Sequence, residues 1–311
     1  MAAVELTVFQ VILLFWSLRT AESQVMTLPE CESYCGDISI PYPFGMKEGC
    51  YLDERFKILC INYSSGVLPK LTVNGTDLEV NNISVDDSTI AVMFPIVFAN
   101  CSGKDGNTVV DLEGSPFVFS SENYFIARGC GNLALMNQNQ SAIGGCVSLC
   151  DKNRDSMMAS CSGIDCCQTR IPSFLKVFNV TMKGLEDGKG SRGENECRYA
   201  FLIDERWTNY GGYYYDYYFG GNFDFYYDKR ERDHVPVVLD WGIDRRVFES
   251  LVKNGSFYNS SYTSTCEFPS PSITSTNQSS TVKCSCKPGF EGNPYLSGIC
   301  QGKLLVTIPT L

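Results

Sequence analysis

The sequence predicts a mainly β, disulfide-rich fold: two small cysteine-rich β modules followed by a short cysteine-closed segment. Three observations lead there. All 16 cysteines lie after residue 30 and are even in number, the pattern of a disulfide framework in an oxidising compartment. Apolar and polar residues alternate through "LPKLTVNGTDLEVNNISV", with Asn74-Gly75 as a hairpin turn signal. Nine Asn-x-Ser/Thr sequons, at Asn62, Asn74, Asn82, Asn100, Asn139, Asn179, Asn254, Asn259 and Asn277, fit the same compartment. Asn100, with Cys101 in its middle position, is the poorest of them.

Residues 1–23 read as a secretory signal peptide, with an apolar run from Val8 to Trp16 and small residues Ala21 and Ser23 at the cleavage region. No later stretch approaches the roughly 18 apolar residues a membrane span needs, so the mature chain is expected to lack an anchor. Removing residues 1–23 takes one of 25 cations and two of 35 carboxylates and leaves a formal charge of −9, which argues against nucleic acid as a partner.

The first module is expected over residues 24–105, where "STIAVMFPIVFANC" continues the β pattern and Pro95 points to an edge strand or a bulge. The second is expected over 106–265. Its cysteine-dense stretch includes the neighbours Cys166 and Cys167, whose adjacency makes a bond between them strained and sends them to different partners. "CRYAFLIDERW" and "VPVVLDWGI" read as buried strands, or as a short helix and a strand. Between them, residues 209–227 form a Tyr/Gly-rich loop that either stacks on sugar rings or is a variable surface loop. A Ser/Thr/Pro/Asn-rich linker then leads to "CSCKPGFEGNPYLSGIC" at 284–300, the second half of an epidermal-growth-factor-like repeat; the partial EGF-like segment is expected over 266–300 and a tail over 301–311.

Catalysis finds little to work with. There is one histidine, His234, and the cysteines are expected to be oxidised, which leaves Ser-His-Asp and Cys-His arrangements without their parts. The same single histidine and the absence of paired C-x2-C knuckles argue against zinc, so no metal ligands are expected.

In "CGDISIPYPFG", Pro41 and Pro43 stiffen the chain around Tyr42 and Phe44. The two rings either form a ridge that stacks on a pyranose ring at little entropic cost or pack inward as a turn that plugs a small core.

The ordered motifs "C-x3-CG-x4-IPYPFG" at 31–45, "GC" at 49–50, "F-x-I-x-C" at 56–60, "GCGNLALM" at 129–136, "CSG-x2-CCQTRIP" at 161–172, "CRYAFLID" at 197–204, "VPVVLDWGI" at 235–243 and "CSC-x2-GFEGNPYL" at 284–296 resemble the plant wall-associated receptor kinases. The resemblance implies a galacturonan-binding module, a second cysteine-rich module and an EGF-like stalk. It also implies an extracellular, cell-wall location and a disulfide between Cys286 and Cys300. The family continues into a membrane helix and a kinase. Here "QGKLLVTIPTL" follows Cys300 and the kinase motifs are missing, so the expectation is a secreted or truncated ectodomain that is not an enzyme.

The implied ligand is pectin or an oligogalacturonate, a polyanion. Residues 24–101 oppose it with 10 carboxylates against 4 cations. Two routes around this are a local basic patch of Lys47, Arg55 and Lys57 beside Tyr42 and Phe44, or calcium bridging carboxylates of protein and glycan. The three cations also read as scattered solvated charges. The alternative function is recognition of a receptor, co-receptor or peptide ligand by the same ectodomain.

Overall fold

A computed structural model describes residues 26–64, 66–101, 109–138, 140–149, 161–164, 166–173, 175–185, 197–206, 233–255, 262–267, 281–296 and 300–302. The expected signal peptide, the Tyr/Gly-rich loop 209–227, the sequons at Asn139, Asn259 and Asn277, and residues 303–311 lie outside them. The described chain is mainly strand. Among the described residues no helix is long and apolar enough to cross a membrane.

The largest sheet has six antiparallel strands in the order β3 (Ile58–Tyr63), β4 (Gly66–Val73), β5 (Thr76–Ser84), β6 (Thr89–Pro95), β18 (His234–Trp241) and β9 (Phe117–Phe119). Alternation makes these strands: β6 buries Ile90, Val92 and Phe94 and leaves the residues between them half-buried. The β4–β5 hairpin turns at Asn74 and Gly75, both at positive φ (47° and 81°), a two-residue turn that suits the strand twist.

A short hairpin, β1 (Tyr34–Cys35) and β2 (Ile38–Ser39), lies against β4 and β5. Pro95 marks neither an edge strand nor a bulge. It is the last residue of β6, opposite His234, and the chain passes through Ile96 into a different sheet. Without an N–H, proline ends the ladder where the chain must leave it.

That second sheet has five strands in the order β13 (Ser162–Ile164), β14 (Cys166–Arg170), β10 (Asn123–Arg128), β17 (Arg198–Asp204) and β7 (Val97–Ala99). Every residue of β17 is buried, as its apolar run requires. A three-stranded sheet of β12 (Ser141–Ser148), β11 (Asn132–Gln138) and β16 (Val180–Gly184) and a pair of β15 (Val177–Phe178) with β8 (Val110–Asp111) lie beside it in sequence. Phe94 of β6, Phe119 of β9 and Phe178 of β15 join the sheets edge to face, with Phe94 5.3 Å from Phe119 and 5.4 Å from Phe178. Buried Asn123 adds a polar tie: its amide donates to the carbonyls of Ser120 (2.8 Å) and Val238 (2.7 Å) and accepts from the Val238 N–H (2.9 Å).

The boundary expected at residue 105 is not a break in the hydrogen bonding. β18, more than a hundred residues downstream, pairs with β6, and β17 pairs with β7 beside the Cys101–Cys197 disulfide. One contiguous core runs from Cys35 to Leu296. Both expected modules supply its residues.

The last described part follows helix α1 (Arg245–Lys253), which Asp244 caps by accepting from the Arg246 N–H at 2.9 Å. β19 (Ile243–Asp244), just before the helix, forms a sheet with β21 (Thr281–Cys286) and β20 (Ser264–Glu267) after it, and the pair β22 (Phe290–Glu291) and β23 (Gln301–Gly302) comes last. Cys286 and Cys300 are bonded here.

The segment does not stand apart as a stalk. Asn293 is fully buried, and its amide donates to the carbonyls of Met26 (2.9 Å) and Tyr42 (2.6 Å). Tyr295 packs its ring 5.1 Å from Trp241, and its hydroxyl accepts from the Cys284 N–H at 2.9 Å. "GNPYL" therefore seals the end of the core beneath "IPYPFG".

Seven disulfides join described residues: Cys31–Cys50, Cys35–Cys60, Cys101–Cys197, Cys146–Cys167, Cys161–Cys166, Cys266–Cys284 and Cys286–Cys300. Cys130 is disulfide-bonded too. Cys166 and Cys167 go to different partners, because neighbours on a strand point to opposite faces of the sheet.

Candidate functional site

The proline-stiffened segment turns its rings inward. Phe44 is 1% exposed and Tyr42 8%. Phe44 meets Phe56 and Trp241 edge to face at 5.2 Å and 5.3 Å, and Phe117 lies 6.2 Å away. The main chain holds this arrangement: the Tyr42 N–H donates to Met26 and the Phe44 N–H to Pro41, both at 2.9 Å.

Gly45 is pressed so closely that a Cβ there would stand 2.4 Å from the Cys50 carbonyl oxygen. Of the two readings of "IPYPFG", the fold adopts the inward one, and Phe44 has no face to offer a sugar. The physical reason is area. Trp241, Phe56 and Phe117 leave an apolar hollow at the sheet end that only a large ring fills.

The three predicted cations remain outside. Lys47 pairs with Glu32, and Arg55 grips Asp53 through two guanidinium nitrogens at 2.9 Å and 2.6 Å. Lys57 reaches Glu54 at 3.4 Å and lies 5.9 Å from the centre of the Tyr51 ring. Asp53 also caps the 3-10 turn Glu54–Phe56 by accepting from the Arg55 N–H. Burial raises the Asp53 carboxyl, but the Arg55 hydrogen bonds and charge outweigh it and hold it below its ordinary value.

The Tyr51 hydroxyl donates to Glu54, which pushes the phenol up to about 12 and holds the Glu54 carboxyl down. Each cation thus keeps contact with water and is already neutralised by a neighbouring carboxylate. Exposed pairs of this kind contribute only about 0–1 kcal/mol, so exchanging the internal carboxylate for one on a ligand costs little. Sequence reasoning passed over Tyr51. The signal was an aromatic beside Cys50 and four residues before Arg55 in the charged run "DERFK", close to helical spacing.

A separate cleft of about 340 Å³ is lined by Asp87, Thr89, Glu122, Glu205 and Arg206. Beside it Arg170 makes a two-pronged pair with Glu205 (2.6 Å and 2.8 Å) while lying 4.2 Å from the Tyr124 ring centre, and Arg206 pairs with Asp204 at 3.0 Å. Three carboxylates against one arginine make this cleft a poor host for a polyanion. Among the described residues no group of three or more His, Cys, Asp or Glu stands close enough to hold a metal ion.

Among the sequons in the described residues, Asn62, Asn82 and Asn254 are exposed and Asn179 is half-buried. Asn74 is also exposed, but its amide donates to the carbonyls of Asp111 (3.1 Å) and Glu113 (2.9 Å).

The fold and surface define a disulfide-stapled, mainly β, ectodomain-like protein with a charged, solvent-facing segment at 47–57. Residues 31–93 match the family model "Wall-associated receptor kinase galacturonan-binding", and residues 158–211 match "Wall-associated kinase". Among Arabidopsis thaliana proteins, the chain is 30% identical to Wall-associated receptor kinase-like 5 over 87% of its own length and 38% of the relative's. It is 28% identical to Wall-associated receptor kinase-like 10 over 87% and 38%, and 29% identical to Wall-associated receptor kinase 3 over 94% and 39%.

The chain resembles the extracellular part of the wall-associated receptor kinases. It spans about two fifths of the length of these curated relatives, and the two matched models are ectodomain modules, neither of them a kinase. No solved structure matches it.

Proposed function

We propose that the chain acts outside the cell, at the wall, as a non-catalytic module that binds pectin through its galacturonate units. The observation that carries this reading is the galacturonan-binding match over residues 31–93. Lys47, Arg55 and Lys57, with the Tyr51 ring between Glu54 and Lys57, form the contact surface. Galacturonate carboxylates replace Glu32, Asp53 and Glu54 as partners of the cations, and the solvent-facing part of the half-buried Tyr51 ring supports a sugar ring. Tyr42 and Phe44 act from below, by setting the path of the chain that carries these groups.

The test is titration of the secreted protein with oligogalacturonates and with a neutral glucan of similar length, at two salt concentrations, with and without calcium. Selective binding of the acidic glycan that weakens as salt rises is the expected result. Binding that requires calcium would transfer the contact from the cations to bridged carboxylates. Absence of binding by folded protein would overturn the reading and leave a protein or peptide ligand in its place.

A further inference from the structure

Among the described residues, one edge of the six-stranded sheet is unpaired along most of its length, and the proposed pectin binding does not use it. β3, with sequence ILCINY, is the outermost strand on that side and bears no charge. Native edge strands are usually guarded by lysine, proline or a bulge, because unpaired N–H and C=O groups are a template for another strand.

The direction of those groups follows from their neighbours. Gly45 lies on the outer side of the first turn of β3, where its N–H donates to Phe56 (3.3 Å) and its carbonyl accepts from Ile58 (2.8 Å). In an antiparallel ladder such directions alternate along the strand. The main-chain groups of Cys60 and Asn62 therefore point outward as those of Ile58 do, whereas Leu59, Ile61 and Tyr63 bond to β4. Among the described residues no main-chain hydrogen bond reaches the outer side of Cys60 or Asn62.

Side chains on one face add to this. Leu59 and Tyr63 are exposed (37% and 42%), Ile61 between them is half-buried, and Leu68 lies opposite Ile61 on β4.

We propose that β3 is a homodimerisation edge, occupied by β3 of a second copy running antiparallel about Ile61. In that register Cys60 of one copy exchanges two main-chain hydrogen bonds with Asn62 of the other, and the two-fold axis repeats the pair. Ile61 meets Ile61, and Leu59 meets Tyr63, with no charge opposed to a like charge. A foreign peptide would use the same backbone groups. The second copy is favoured because the strand is complementary to itself in hydrogen bonding, in the alternation of its faces and in its lack of charge. Asn62 projects from the face opposite Leu59, Ile61 and Tyr63, so a glycan there leaves the apolar contact open.

Sedimentation of the secreted glycoprotein over a range of concentrations tests the proposal, with hydrogen exchange at the Cys60 and Asn62 amides as a local readout. The expected result is a monomer–dimer equilibrium in which those two amides gain protection as concentration rises. Ile61→Lys and Leu59→Lys each abolish the dimer while keeping the monomer's melting temperature. A protein that stays monomeric, a dimer that survives both substitutions, or one that forms only after the glycans are trimmed would overturn it.

Discussion

Two stretches separated by a single residue illustrate how differently this chain uses its conspicuous side chains. Residues 40–45 hold two prolines and two aromatics and are wholly buried, whereas residues 47–57 hold the cations and keep them in water. The first owes its place to apolar area, since Phe44 gains contacts with Phe56, Phe117 and Trp241 that no sugar would match. The second could not follow it inward, because burying a charge costs more than an exposed pair returns. Structure and recognition are thus divided along the sequence, the ring-bearing half making the platform and the charged half its surface.

The sharpest way to break that division is Phe44→Ala. It should cost about 3–5 kcal/mol in chemical denaturation, the range for emptying a large aromatic site. Glycan affinity per folded molecule should be retained; its loss in still-folded protein would return Phe44 to the binding surface.

Lys176 extends the contrast to a cation that is partly buried. Its ammonium donates to the carbonyls of Ser115 (2.8 Å) and Phe117 (2.6 Å), and burial pushes it down to about 8 against the pull of Glu113 and Asp111. Between about pH 8 and the ordinary lysine value of 10.5, the unfolded chain holds more protons on this group than the folded one. Its contribution to stability therefore rises with pH through that window, by at most about 3 kcal/mol, and is lost as pH falls through 8. Lys176→Met should flatten that limb of a stability–pH profile. Tyr295, pushed up to about 12 by burial, works in the opposite sense above pH 10 in both proteins.

Asn293→Ala removes the donor to Met26 and Tyr42 and should cost about 1–3 kcal/mol. If "GNPYL" seals the core, hydrogen exchange should also quicken at the Tyr42 and Phe44 amides; unchanged exchange would restore the picture of a separate stalk. The smallest effect belongs to the charged half. Lys57→Ala should shift stability by less than about 0.5 kcal/mol while weakening oligogalacturonate binding several-fold in the same titration.

The strands were legible because alternation and turn chemistry are local. Asn74-Gly75 and the flanking Leu71, Val73, Leu78 and Val80 specify their hairpin without reference to the rest of the chain. The partners of those strands were not legible. Nothing in "VPVVLDWGI" says that it inserts between β6 and β9, and the boundary expected at residue 105 came from reading cysteine spacing where sheet pairing decided.

The basic patch was only half legible. Lys47, Arg55 and Lys57 were visible as charges, but Glu32 lies 15 residues from Lys47, and its pairing depends on the loop that the Cys31–Cys50 disulfide closes.

By itself, then, the sequence determined the class of fold, the disulfide-rich chemistry and the family resemblance, because period, turn residues and ordered motifs are properties of neighbours along the chain. The tertiary structure alone decided that Tyr42 and Phe44 face inward, that "GNPYL" plugs the core beneath them, and that one sheet draws on both modules. Each of these depends on which apolar surfaces meet across long separations, and stiff prolines beside an aromatic ring are equally compatible with a ridge and with a plug until the hollow that receives the ring has been built.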